Sequence, residues 1–253
     1  MLALPRSARL VVWAGAWLGG TATLDDVVAR VHGEDEPHEV TGIPGQTGPG
    51  SLGVALGALR AAGVHALKVA LPRPGDPHGL AGPPEVNADA LTAGEAVLAV
   101  GSPTALIPDV RAFGPPGDQG HLVTWCWRDA TTPPAGDSLA DADRALSEML
   151  LAASSTLADL DVASWRPEVA LLLDDVRSER SGEPLPRAFP PAAQNLAARA
   201  ARILAVVEVA LSDDGAARTA GTATARRHAL VPLERTARHA LASACNVLAD
   251  SMP

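Results

Sequence analysis

The spacing of apolar positions changes part-way along this 253-residue chain, and the change separates two kinds of region. In front, short runs with a strand-like period alternate with short helical stretches; behind residue 132 the three-and-four spacing of helices takes over. Residues 6–18 predict a helix in which Leu10, Trp13, Ala14 and Trp17 share a face, closed by Gly19-Gly20. A second helix starts near Leu24, where Thr23 and Asp26 have the spacing of a capping box, and stops at His32-Gly33. Residues 38–43 predict a strand, 51–62 a helix stopped by Gly63, and 65–71 another strand. Strand, helix and strand in that order favour parallel pairing and a right-handed crossover. A short helix is expected at 87–91. Strands at 96–100 and 105–110 flank Gly101-Ser102-Pro103, the pattern of a hairpin. Residues 121–127 alternate cleanly, with Val123, Trp125 and Trp127 facing one way and Leu122, Thr124 and Cys126 the other.

The stretch DATTPPAGD, residues 129–137, has the composition of a linker. Beyond it Ser138 and Asp141 open a helix to about residue 160, with Leu146, Met149, Leu150, Ala153 and Leu157 on its apolar stripe. A helix after Ser164 and Pro167 carries Val169, Leu172, Leu173 and Val176. A loop over 178–191 leads to a helix over 192–211, apolar most of the way round, a pattern that suits the centre of a bundle or an oligomer interface. The last segment, 223–248, is expected to kink or divide near Pro232 and stripes Leu233, Ala237, Leu241, Ala244 and Leu248. The reading is an α+β protein: a small mixed β-sheet with helices over 1–132, then an α-helical half over 133–253 packed on it.

Composition narrows the function classes. An apolar fraction of 47% and a charged fraction of 19% describe an ordinary globular chain. With five Trp, two Phe and no Tyr, the core must be built from Ala, Leu and Val. A net charge of −9 argues against a nucleic-acid partner. Arg218, Arg226, Arg227, Arg235 and Arg238 form a local basic exception, which reads as a solvated or ion-paired face. Leu10–Ala16 after Arg6 and Arg9 has some signal-peptide character, but its two-Trp amphipathic period suits a packed helix better. No apolar run approaches the ~20 residues that span a bilayer, so a cytoplasmic protein is expected. Cys126 and Cys245 both read as small core hydrophobes in a reducing compartment.

Candidate chemistry concentrates in VALPRPGDPHGLAGPP, residues 69–84, where an apolar strand runs into a proline-stiffened loop. Arg73 can hold an anionic ligand, and His78 can act as general acid or base with Asp76 orienting its ring. The same residues also suit a plain chain reversal, since Pro74-Gly75 and Asp76-Pro77 are turn dipeptides. Glycines 42, 45, 48 and 50 precede a helix and can present N–H groups to a phosphate, though P-loop and dinucleotide spacings are absent. If both loops follow parallel strands, Gln46, Thr47, Arg73 and His78 line one cleft. His32, Glu34, Asp35, Glu36, His38 and Glu39 are metal-ligand types, but a solvated loop behind a helix terminus accounts for them better, and no metal or cofactor is assigned. No nucleophile elbow is present.

The segments PRPGDPHGL, NADALTAGEAVL and VPLERTARHAL resemble a family of actinobacterial proteins of unknown function. The resemblance spans both halves and implies that they form one unit. The leading expectation is a protein that binds an anionic small molecule, or an accessory protein. The alternatives are a small-molecule enzyme using Arg73, Asp76 and His78, or a scaffold that oligomerises through the 192–211 helix.

Overall fold

The computed structural model describes residues 4–115, 117–131, 136–159, 185–212 and 220–250. The helix expected over 164–176 lies outside them. The elements are α1 (Arg6–Leu18), α2 (Leu24–His32), β1 (Glu39–Thr41), β2 (Gly50–Ser51), α3 (Leu52–Ala61), β3 (Ala66–Ala70), α4 (Pro84–Ala93), β4 (Ala96–Val100), β5 (Thr104–Phe113) and β6 (Gly120–Asp129). Among the described residues three long helices follow, α5 (Leu139–Asp159), α6 (Pro191–Ser212) and α7 (Ala220–Asp250). The α+β reading is correct: a mixed sheet with helices comes first, helices after it.

Local chemistry explains the helix starts. The Thr23 hydroxyl accepts from Asp26 N at 3.1 Å while the Asp26 carboxylate accepts from Thr23 N at 3.3 Å, the reciprocal capping box that opens α2. The Thr23 hydroxyl also donates to the Asp26 carboxylate at 2.7 Å, and this bond, with the one from Thr23 N, holds the Asp26 carboxyl below the usual range. Ser51 caps α3, and Ser138 with Asp141 opens α5. The short helix α4 begins on Pro84 and ends on Gly94, whose φ of 74° is the left-handed stop that a side chain would strain.

The six strands lie in the order β2-β1-β6-β5-β4-β3. Only β1 and β6 run parallel; every other neighbouring pair is antiparallel. The β4–β5 hairpin is present as expected. The parallel strand–helix–strand unit is not: β1 and β3 are four positions apart in the order and run in opposite directions. The cause is the two antiparallel turns β3–β4 and β4–β5, which fill the sheet from the β3 edge and leave β1 to pair with β6.

The register assigns faces. Ala70, Ala96, Leu98, Ala105 and Ile107 share one face and form a core cluster with Val86 and Ala90 of α4. Val69, Val97, Leu106, Trp125 and Trp127 share the other face and are also buried, while α1 packs against β3 and β4. Trp125 and Trp127 are therefore core residues rather than an open stacking platform.

Contacts divide the chain into two compact units. One comprises residues 5–136, 185–190 and 245–253; the other comprises 1–4, 137–184 and 191–244. The sheet unit thus takes in the end of α7, and the reason is specific. The Asn246 side chain accepts from Val69 N at 2.7 Å and donates to Val69 O at 3.1 Å, acting as one rung of a missing strand on the edge of β3. Lys68 pairs with Asp250 at 2.7 Å beside it. In the helical unit Arg199 bonds Asp143 O, Asp143 Oδ1 and Ser147 Oγ, joining α5 to α6. Leu146 and Ala153 are buried as the stripe of α5 requires, but Leu150 is 37% exposed. Pro232 lies inside α7, which is not divided there; the Thr236 hydroxyl bonds Pro232 O one turn on.

Candidate functional site

The residues flanking Trp127 on β6 turn away from the core. Cys126 and Arg128 project to the face that α4 covers, beside Asp109 and Ile107 of β5. Because α4 is only ten residues long, it roofs β4 and β5 and leaves a groove along β6. That groove has a volume of about 420 Å³ and is walled by Asp89 and Thr92 of α4 and floored by Ile107 and Cys126. At one end Arg128 Nε donates to Asp89 Oδ2 at 3.3 Å. At the other Asp109 is paired with Arg111 at 2.8 Å. Cys126, expected in the core, is partly exposed here and accepts a weak bond from the Thr41 hydroxyl at 3.9 Å. Cys245 does lie in the core, where burial pushes its thiol up to about 12.

Across the sheet a second polar cluster is sealed. Arg6 Nε and Nη2 donate to the two Asp35 carboxylate oxygens at 2.7 and 2.6 Å. His38 Nε2 lies 3.3 Å from Asp35, and Trp125 Nε1 donates to His38 Nδ1 at 3.1 Å. An indole nitrogen can only donate, so Nδ1 accepts and the proton sits on Nε2, facing Asp35. Burial, reinforced by His32, lowers the His38 pKa to about 4, and Asp35 offsets this only in part. For Asp35, burial works upward, but the bonds and charges of Arg6 and His38 outweigh it and hold the carboxyl below its usual range. His32, at the end of α2, is lowered by burial against the pull of Asp35. Nearby, Ser7 N donates to Glu95 at 2.7 Å, and burial raises the Glu95 carboxyl. Among the described residues no group of three or more acidic, His or Cys side chains could hold a metal ion.

The nominated loop residues do not meet in one hollow. Arg73 and Asp76 exchange backbone hydrogen bonds at 3.1 and 2.8 Å around Pro74-Gly75, with Gly75 at φ 81° as this turn needs. The Arg73 guanidinium donates to Gly94 O at 3.2 Å and Pro72 O at 3.4 Å, fastening the loop to the end of α4. Asp76 is buried, while His78 is exposed. Gln46 and Thr47 are exposed in the loop after β1. Since β1 and β3 run in opposite directions, the two loops leave opposite ends of the sheet, and the shared cleft is not formed. None of these five residues lines the groove. Of the groove residues Arg128 had a legible signal, since the alternation of β6, carried one residue past Trp127, puts it on the Cys126 face; Asp89 had none.

Family models match most of the chain. Residues 7–138 match the N-terminal domain of Rv1486c-like protein, and residues 140–242 match its C-terminal domain. The chain belongs to the Rv1486c-like family. Two relatives from Mycobacterium tuberculosis, uncharacterized protein Rv1486c of strain H37Rv and uncharacterized protein MT1533 of strain CDC 1551, are each 30% identical to it over 244 residues. Those alignments cover 80% of this chain and 82% of each relative. No solved structure matches. The resemblance to an actinobacterial family read from the sequence is correct. Asn246 and Asp250, which finish the β3 edge, lie beyond the last residue of the Rv1486c-like C-terminal match. Among the described residues no helix is long and apolar enough to cross a membrane.

Proposed function

We propose that this Rv1486c-like chain is a cytoplasmic small-molecule-binding or accessory protein whose ligand sits between α4 and the β5–β6 face. The observation that carries this reading is the groove of about 420 Å³, a size within the roughly 300–1,000 Å³ usual for small-molecule sites. The groove has an apolar floor at Ile107 and charged side chains at its two ends, Arg128 with Asp89 at one and Asp109 at the other. The reading moves the role of holding an anion from Arg73 to Arg128. Arg73 spends its guanidinium on the carbonyls of Gly94 and Pro72, whereas Arg128 has only Asp89 as a partner among the described residues. A cytoplasmic setting accords with Cys126 and Cys245 both being free thiols.

The test is a thermal-shift screen against metabolites, run on the wild-type chain and on Thr92→Trp. Thr92 is exposed on the groove wall, so an indole there fills the space without entering the core. A compound at a hundredfold excess over its Kd adds about 2.7 kcal/mol, enough for a shift of several degrees. The expected result is a shift in the wild type that Thr92→Trp abolishes. Equal shifts in both proteins, or none in the wild type across the panel, would overturn the proposal.

A further inference from the structure

We propose that the groove takes the zwitterionic head of an apolar α-amino acid, held by Arg128 and Asp89 together; this rests on the groove being the ligand seat. Three observations converge on that chemistry. The first is the pair at the head of the groove, where Arg128 Nε donates to Asp89 Oδ2 at 3.3 Å and both side chains stay about half exposed. That single bond leaves the two Arg128 Nη groups and Asp89 Oδ1 with no partner among the described residues. A guanidinium fork donates two parallel bonds to a carboxylate, and a neighbouring carboxylate accepts from an ammonium group. An α-amino acid carries those two groups side by side, so both can be met at one end of the groove.

The second observation is charge balance. A simple anion bound at Arg128 would lie against Asp89, and a simple cation at Asp89 would lie against Arg128; like charges so close are unfavourable. A zwitterion meets an opposite charge at each position. Asp109 does not disturb this balance. It lies four residues along the strand from the Arg128 register, ~13 Å away at strand rise, and is already paired with Arg111.

The third observation is the floor. Beyond the charged head the groove runs over Ile107 and Cys126, with Ala93 of α4 beside them. These surfaces suit an aliphatic side chain and offer no second charge. The ligand chemistry is therefore a charged head at Arg128–Asp89 and an apolar tail over Ile107.

The test uses three probes that share one side chain: L-leucine, 4-methylpentanoate, which lacks the amine, and 3-methylbutylamine, which lacks the carboxylate. Binding is followed by calorimetry and by amide shifts of residues 89–93 and 126–128 in the full chain. Leucine is expected to bind at least tenfold more tightly than either analogue. Arg128→Ala should weaken leucine and 4-methylpentanoate alike, and Asp89→Asn should weaken leucine at least tenfold while leaving 4-methylpentanoate unchanged or tighter. Equal affinity for leucine and either analogue, with binding still lost in Thr92→Trp, would overturn the zwitterion and leave the groove standing. No binding of leucine would also overturn it, while the metabolite screen judges the groove separately.

Discussion

The two faces of β6 use the same kinds of residue to opposite ends. On one face Trp125 reaches His38, which reaches Asp35, which holds Arg6, and each distance is a bonding one. His38 is fully buried, and 6% of the Asp35 side chain is exposed. On the other face, one and three residues further along the strand, Cys126 and Arg128 look into a groove where a single bond links Arg128 to Asp89. A sealed cluster with matched donors and acceptors fixes a fold, because removing any member strands a buried polar group. An open pair with unused hydrogen-bonding capacity fixes little and can bind. Acid–base pairs alone do not mark a site; what their spare atoms face does.

The largest effect expected from that contrast is at Asp35. Asp35→Ala removes the shared partner of Arg6 and His38 and strands a buried charge, a change that costs about 3–5 kcal/mol. Arg6 keeps 21% side-chain exposure, which pulls the expected value to the low end of that range. Urea unfolding at pH 7 measures it. A cost under 1 kcal/mol would mean that the sealed face is no more structural than the open one.

Next in size is a pH dependence carried by the same cluster. His38 titrates at about 4 in the folded chain, below its ordinary value near 6.5, so the unfolded chain binds the proton first as pH falls. Stability from this group is therefore complete above pH 6.5, falls between 6.5 and about 4, and is level below that. The shift corresponds to about 3 kcal/mol. His32 is lowered too and acts in the same sense. Asp35, held below the usual carboxylate range, withdraws its contribution only at more acid pH, so it stays out of this window. Urea midpoints measured from pH 7 to 4 should fall steeply in the wild type and less in His38→Gln. Parallel slopes would refute the assignment.

How much of this was readable in the chain depends on whether the deciding interaction is local. The capping box at Thr23–Asp26, the hairpin around Gly101-Ser102-Pro103 and the alternation of β6 all follow from residues a few positions apart, and all are present. Strand order is not local. The β1–α3–β3 pattern suggested a parallel unit, but two successive antiparallel turns carry β3 to the far edge, so the loop of Gln46 and Thr47 and the loop of Arg73 and His78 part company. Arg73 drew attention as a lone cation in a stiff loop, yet its carbonyl partner Gly94 is 21 residues away. Asp89 and Arg128 are 39 apart and come together only because α4 folds back over β4 and β5, beside β6. Cys126 was legible as one of an alternating set, but not the shortness of the helix that leaves its face uncovered.

The smallest expected effect is the sharpest test of the contrast. Arg128 and Asp89 are 43% and 51% exposed, and an ion pair that open to water contributes little, since hydration and side-chain entropy offset the attraction. Arg128→Ala should therefore change unfolding free energy by less than about 0.5 kcal/mol, with the pH profile of the His38 cluster unaltered. The two faces are then separable by measurement: Asp35→Ala lowers the unfolding free energy and Arg128→Ala leaves it nearly unchanged, though each removes one charged partner. A loss of 2 kcal/mol or more in Arg128→Ala would show that the open pair is holding α4 onto the sheet. The groove end would then be part of the scaffold, and its spare donors would be engaged in keeping the roof in place.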